Sequence, residues 1–198
     1  LLMNKPQDAI MNLDIFWKLI EQSRKLASGD PEAQATELQT LLEKLPATDI
    51  LIFQKIFDAY ADLSYRASLW AAFYIKEGGC SDDAFDYSRW GLIAMGRKAF
   101  DEVVTNPDAL AKDEYDDLEE NEDIMMAADA AYVALTGNEE EFYQQRCQQP
   151  LPDMAEEYQR LGLSPTYSLN DDPVHAMDYD DQEAMTAIFP KLVKKYWN

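Results

Sequence analysis

Apolar residues along this chain recur at helical spacing. Leu13, Phe16, Trp17 and Ile20 stand at i, i+3, i+4 and i+7 behind Asn12, a good N-cap, which predicts a first helix to about Ser28, ended by Gly29. Asp30-Pro31 supplies a cap and a first-turn proline for a second helix, whose face carries Ala35, Leu38, Leu41, Leu42 and Leu45 before Pro46 closes it. Thr48 or Asp49 is expected to open a third helix, with Ile52, Phe53, Ile56, Phe57, Tyr60 and Leu63 on one side. A fourth is expected over Tyr65 to Lys76.

Gly78-Gly79 breaks the pattern, and the oxygens of Ser81, Asp82 and Asp83 suit the cap of a helix over about 83–105. Its apolar residues, among them Phe85, Trp90, Leu92, Ile93, Phe100 and Val103, fall around much of its circumference, so it is expected at the centre of the fold. Weaker helical patterns follow over about Glu119 to Leu135, Glu139 to Arg146, Asp153 to Leu161 and Glu183 to Tyr196, the last kinked or split by Pro190. No run alternates long enough to demand a strand. The expected fold is all-α, a compact bundle of about six to eight helices around the helix at 83–105. It is read as a single domain over 1–198 with an acidic C-terminal half.

Charge adds what periodicity does not. The net charge of -21 is unevenly placed: residues 1–112 carry about -5, residues 113–190 about -19, and Lys191, Lys194 and Lys195 return +3. Eight of the eleven residues 113–123 are acidic, namely Asp113, Glu114, Asp116, Asp117, Glu119, Glu120, Glu122 and Asp123. Such a run is either a solvated linker or a surface that steers a cationic protein toward it. Direct nucleic-acid binding is disfavoured, because neutralising phosphates needs clustered Lys and Arg. Tyr115, Phe142, Tyr143, Tyr158, Tyr167 and Tyr179, interleaved with the acids, are candidates either for anchoring a partner or for the core.

Cysteines and histidine exclude other chemistry. Cys80 and Cys147 form no CxxC pair and His175 is the single histidine, so neither a zinc site nor a cofactor motif is implied. Two cysteines are compatible with a reducing compartment, and the first ten residues do not resemble a secretory signal, which together lead to a cytoplasmic expectation. The longest apolar run, Leu69 to Ile75, is far short of the roughly 18 residues a membrane helix needs. Asp178, Asp180 and Asp181 resemble a calcium loop but lack its turn glycine and closing glutamate.

The words Gly79-Cys80-Ser81-Asp82-Asp83-Ala84-Phe85-Asp86-Tyr87, Arg89, Gly91-Leu92-Ile93, Gly96-Arg97 and Asn106-Pro107-Asp108, with Leu69-Trp70-Ala71-Ala72 and Phe16-Trp17-Lys18-Leu19-Ile20 before them, resemble a bacterial family catalogued as domain of unknown function 4240. The resemblance covers roughly residues 14–132, leaving about 133–198 as an acidic extension, and implies no activity. Within it, Asp82, Asp86 and Arg89 share one helical side beside Asp83, Ser81 and Cys80. That cluster reads either as cap and ion pair, or as carboxylates and an arginine acting on a phosphate or glycosidic bond, with or without a metal. Cys80, at a helix start, is either a reactive thiol of lowered pKa or a small buried residue.

Three functions follow as expectations. The first is a bacterial immunity or inhibitor protein whose acids occupy the basic surface of a cognate toxin, with a nuclease as the expected toxin class. The second is an enzyme built on Asp82, Asp83, Asp86 and Arg89. The third is a regulatory or scaffold module.

Overall fold

A computed structural model describes residues 10–118 and 120–197, and among these there are eleven α-helices and no strand. They are α1 (Leu13–Leu26), α2 (Pro31–Leu42), α3 (Ala47–Leu63), α4 (Ala67–Glu77), α5 (Asp82–Ala94), α6 (Arg97–Thr105), α7 (Asp123–Thr136), α8 (Glu139–Gln148), α9 (Ala155–Leu161), α10 (Gln182–Ile188) and α11 (Pro190–Tyr196). The reading of the first ten residues falls, but for Ile10, outside the described residues.

Asn12 and Asp30 cap α1 and α2 as their sequence positions imply, accepting from the backbone N–H of Ile15 and Ala33. The expected cap of α3 is different. That helix starts behind Pro46 without a side-chain cap, and Asp49 turns inward, fully buried, to accept the Met11 N–H at 2.7 Å.

Phe16, Phe53, Phe57, Tyr60, Trp17 and Phe100 join α1, α3 and α6 in one aromatic cluster, with Phe16 stacked on Tyr60 at 5.5 Å. Tilted and edge-on ring pairs of this kind add to the stabilisation from buried area. The α2 helix runs along both α1 and α7, and α3 meets α7 and α8.

The helix expected over 83–105 is two helices. Gly96 takes φ +97°, a left-handed region that costs a residue with a Cβ, and the chain turns there from α5 into α6. Apolar periodicity continues across the break because both segments face the same core, which is why the pattern alone reads as one helix. The central role falls to α5, which touches α1, α2, α3, α4, α6 and α7. Pro190 splits the last predicted helix into α10 and α11, with Phe189 buried at the joint.

Residues past 136 are pinned to the rest at widely spaced points. Arg146 donates to Asp58, Arg97 to Glu157, Arg66 to the Ser164 carbonyl, and the Ala67 N–H to the Tyr167 hydroxyl at 2.8 Å. Among the described residues no helix is long and apolar enough to cross a membrane.

Candidate functional site

The acidic run and the motif around Cys80 meet on one surface, around the N-terminus of α5. Ser81 is its cap, accepting from the Ala84 N–H, while Asp82 and Asp83 occupy the first turn, exposed and beside the positive end of the helix. Gly78-Gly79-Cys80 is held against α4 by the Trp70 indole N–H, which donates to the Cys80 carbonyl at 2.9 Å.

The acidic run then crosses this helix start. Lys76 donates to the Leu118 carbonyl, and the Asn121 N–H donates to the Tyr87 carbonyl at 3.1 Å. Asn121 is itself buried, and its side-chain oxygen accepts the Ile124 N–H, so it sets the start of α7 at Asp123 rather than at the expected 119. Tyr87 records the result. Its phenol is raised first by the charge of Glu122, then by burial, then by Asp83, with Glu120 adding to them. Carboxylates some forty positions apart in sequence thus act on one side chain.

The acids of the run are not equivalent. Lys195, delivered by α11, donates to Asp113 at 3.2 Å and to Asp116 at 2.5 Å, and Tyr196 also donates to Asp116. Lys112 pairs with Glu102 and, at 3.5 Å, with Glu114. Asp82, Asp83, Asp117, Glu120, Glu122 and Asp123 are exposed and form no ion pair among the described residues. Glu119, also expected in this face, lies outside the described residues.

Arg89 is enclosed. Its guanidinium packs over the rings of Tyr65 and Phe85, at 4.7 and 4.9 Å, and donates to Asp86 and to the Ala61 carbonyl. Burial lowers its pKa, opposed by the hydrogen bond and charge of Asp86. Asp86 and Arg89 are therefore joined to each other, while Asp82 and Asp83 face solvent instead of converging with them.

Cys80 departs from the reactive reading. Burial first, then the charges of Glu120 and Glu77, push its thiol up to about 12, which disfavours the thiolate that reactivity needs. Asp178, Asp180 and Asp181 serve the local chain. Asp178 accepts the Asp180 N–H, Asp180 accepts the Tyr74 hydroxyl, and Asp181 caps α10. Among the described residues no group of three or more His, Cys, Asp or Glu side chains is placed to hold a metal ion. Tyr115 and Phe142 are core residues, whereas Tyr143 is 45% exposed.

Sequence reasoning assigned no site role to Tyr87, Asn121 or Lys195. The capping pattern Asn121 to Ile124 is visible in the sequence but masked by the surrounding acids. The pairing of Lys195 with residues about eighty positions earlier has no local signal.

Residues 11–136 match the family described as protein of unknown function (DUF4240). The chain belongs to that family, and the match takes in the α5 motif and the whole acidic run, while α8 to α11 lie beyond it. Neither a curated protein nor a solved structure matches the chain.

Proposed function

We propose that this is a binding protein that captures a cationic protein on the face formed by Asp82, Asp83, Asp117, Glu120, Glu122 and Asp123, acting as an inhibitor or immunity protein. The supporting observation is the asymmetry within the acidic run: Lys195 pairs with Asp113 and Asp116 and Lys112 with Glu114, while six neighbouring carboxylates have no ion-pair partner among the described residues. Holding like charges together costs folding energy that a cationic partner offsets, and the same field speeds encounter. A nuclease toxin is the partner class that fits best, since enzymes acting on nucleic acid present basic clefts.

An enzyme built on Asp82, Asp83, Asp86 and Arg89 is the weaker reading, because the arginine such chemistry needs is buried and occupied. A scaffold module would bind equally well to an uncharged surface. The test is affinity capture from lysate at low and high salt, followed by assay of any captured protein's activity with and without this chain. A basic protein released by salt and inhibited on binding supports the proposal. Capture of an uncharged partner that salt does not release, or capture without inhibition, counts against it.

A further inference from the structure

A second surface lies where α4 meets residues 172–180. Trp70, Tyr74, His175, Met177, Asp178 and Tyr179 line a cleft of about 300 Å³ there. Phe85, fully buried, stacks on one face of Trp70 at 4.8 Å and 13°, which fixes the indole plane and leaves its outer side to the cleft, where His175 stands at 6.4 Å. Tyr74 and Tyr179 meet edge-on at 5.6 Å and form the next wall.

The walls are built rather than fortuitous. On one side of the cleft Tyr167 donates to Asp172 while accepting the Ala67 N–H of α4. On the other, the Tyr74 hydroxyl donates to Asp180 at 2.8 Å. The loop is thus tied to α4 at both ends of the cleft.

The chemistry of the lining is one-sided. Aromatic faces carry negative quadrupole charge, and a phenol that donates to a carboxylate has a more electron-rich ring. Asp178 lines the cleft, Asp180 stands behind Tyr74, and among the described residues no lysine or arginine contributes to the walls. Aromatic faces together with a carboxylate favour a bulky, weakly hydrated cation over an anion or a neutral apolar group. We propose that the cleft bounded by Trp70, Tyr74, His175, Tyr179 and Asp178 binds an organic cation of the alkylammonium class. The lining contains none of the carboxylates of the proposed acidic face, and the inhibitor reading neither requires the cleft nor is required by it. Its roof comes from residues beyond the family match, so the cleft combines a family residue, Trp70, with a segment particular to the extension.

His175 is the single histidine, so its ring proton signals report on the cleft without ambiguity. The full chain is titrated by proton NMR with choline and, separately, with 3,3-dimethylbutanol, its neutral isostere, at constant ionic strength set with sodium chloride. The expected result is a saturable shift of the His175 signals with choline and binding of the isostere at least about tenfold weaker, as a cation–π site requires. The titration is repeated with N-acetyl-trimethyllysine methylamide to distinguish a free small molecule from a protein side chain as the source. Saturation by either cation supports the site, and the tighter one names the source. Tyr179→Leu is expected to weaken binding about tenfold and Asp178→Asn about threefold. Should Tyr179→Leu fail to fold, the comparison of cation with isostere on the unaltered chain decides alone. Equal binding of choline and its isostere, or no saturable shift with either cation, overturns the proposal.

Discussion

Asp108 caps a helix that begins more than eighty residues later: its carboxylate accepts the backbone N–H of Leu192 at 3.0 Å and that of Lys191 at 3.1 Å. Pro190 at the first position of α11 has no N–H to offer, so the next two donors are the ones left unsatisfied, and Asp108 takes both. The residue is buried, and Leu192 beside it is fully buried, so this single side chain locks the C-terminal helix onto the turn at Pro107–Ala111.

Asp108→Ala is therefore expected to destabilise the protein by about 1–2 kcal/mol, the usual cost of losing a helix cap. Asp108→Asn keeps an acceptor oxygen and loses less. Urea unfolding of the three proteins, with hydrogen exchange of the Lys191 and Leu192 amides, checks both the size and the place of the effect.

Gly96→Ala is expected to cost about 1–3 kcal/mol, because φ +97° with ψ 169° is a conformation essentially confined to glycine. An added Cβ also meets the Glu21 Cγ at 3.2 Å. Adding Glu21→Ala removes that contact but not the strain, so the double variant regains only part of the loss in thermal unfolding.

Arg89 tests whether the motif cluster is structural. Arg89→Ala removes the guanidinium from between Tyr65 and Phe85 and leaves the Ala61 carbonyl without this donor, at a cost of about 3 kcal/mol or more. Arg89→Met refills the space without burying a charge and is expected to recover much of that stability. Denaturant midpoints of the two variants decide. An equal loss in both would show that the charge, not the packing, matters.

Glu157 links pH to stability. It is 5% exposed and accepts from Arg97 at 2.8 Å and from Arg160 at 2.6 Å. Burial alone would raise its pKa, but the Arg160 hydrogen bond and the charges of Arg160 and Arg97 outweigh it and hold the carboxyl below the ordinary glutamate value. A depressed folded pKa contributes stability above about pH 4.3, and that contribution is lost as pH falls through the lower folded value. Glu157→Gln is expected to cost about 1.5–3 kcal/mol near pH 7. The gap between it and the unaltered protein should close as pH drops below about 4.

Local signals carried the all-α class and most helices. Asn12 and Asp30 cap where the sequence placed them, Ser81 rather than Asp82 or Asp83 caps α5, and Pro190 divides the last helix. What failed was whatever a second segment decides. Asp49 looked like a cap because of its position before an apolar run, yet Met11 draws it into the core. Gly96 sat inside an unbroken apolar pattern, and nothing local distinguishes a tolerated helical glycine from a left-handed turn. For the site, the acids and the Cys80 motif were visible as separate features. Their meeting at Tyr87, and the pairing of Lys195 with Asp113 and Asp116, arise only when the chain folds.

The central claim is that the carboxylates without ion-pair partners, rather than acidity in general, bind the partner. Its most direct test compares two variants of equal charge change, Asp117→Asn with Glu122→Gln against Asp113→Asn with Asp116→Asn, for affinity toward the captured cationic protein at about 0.1 M and about 1 M salt, where the screening length falls from about 10 Å to about 3 Å. The account predicts that the first pair loses most of the low-salt affinity, the second loses little, and high salt weakens the unaltered chain to match the first. Equal losses in both pairs, or an affinity that salt does not change, would contradict it.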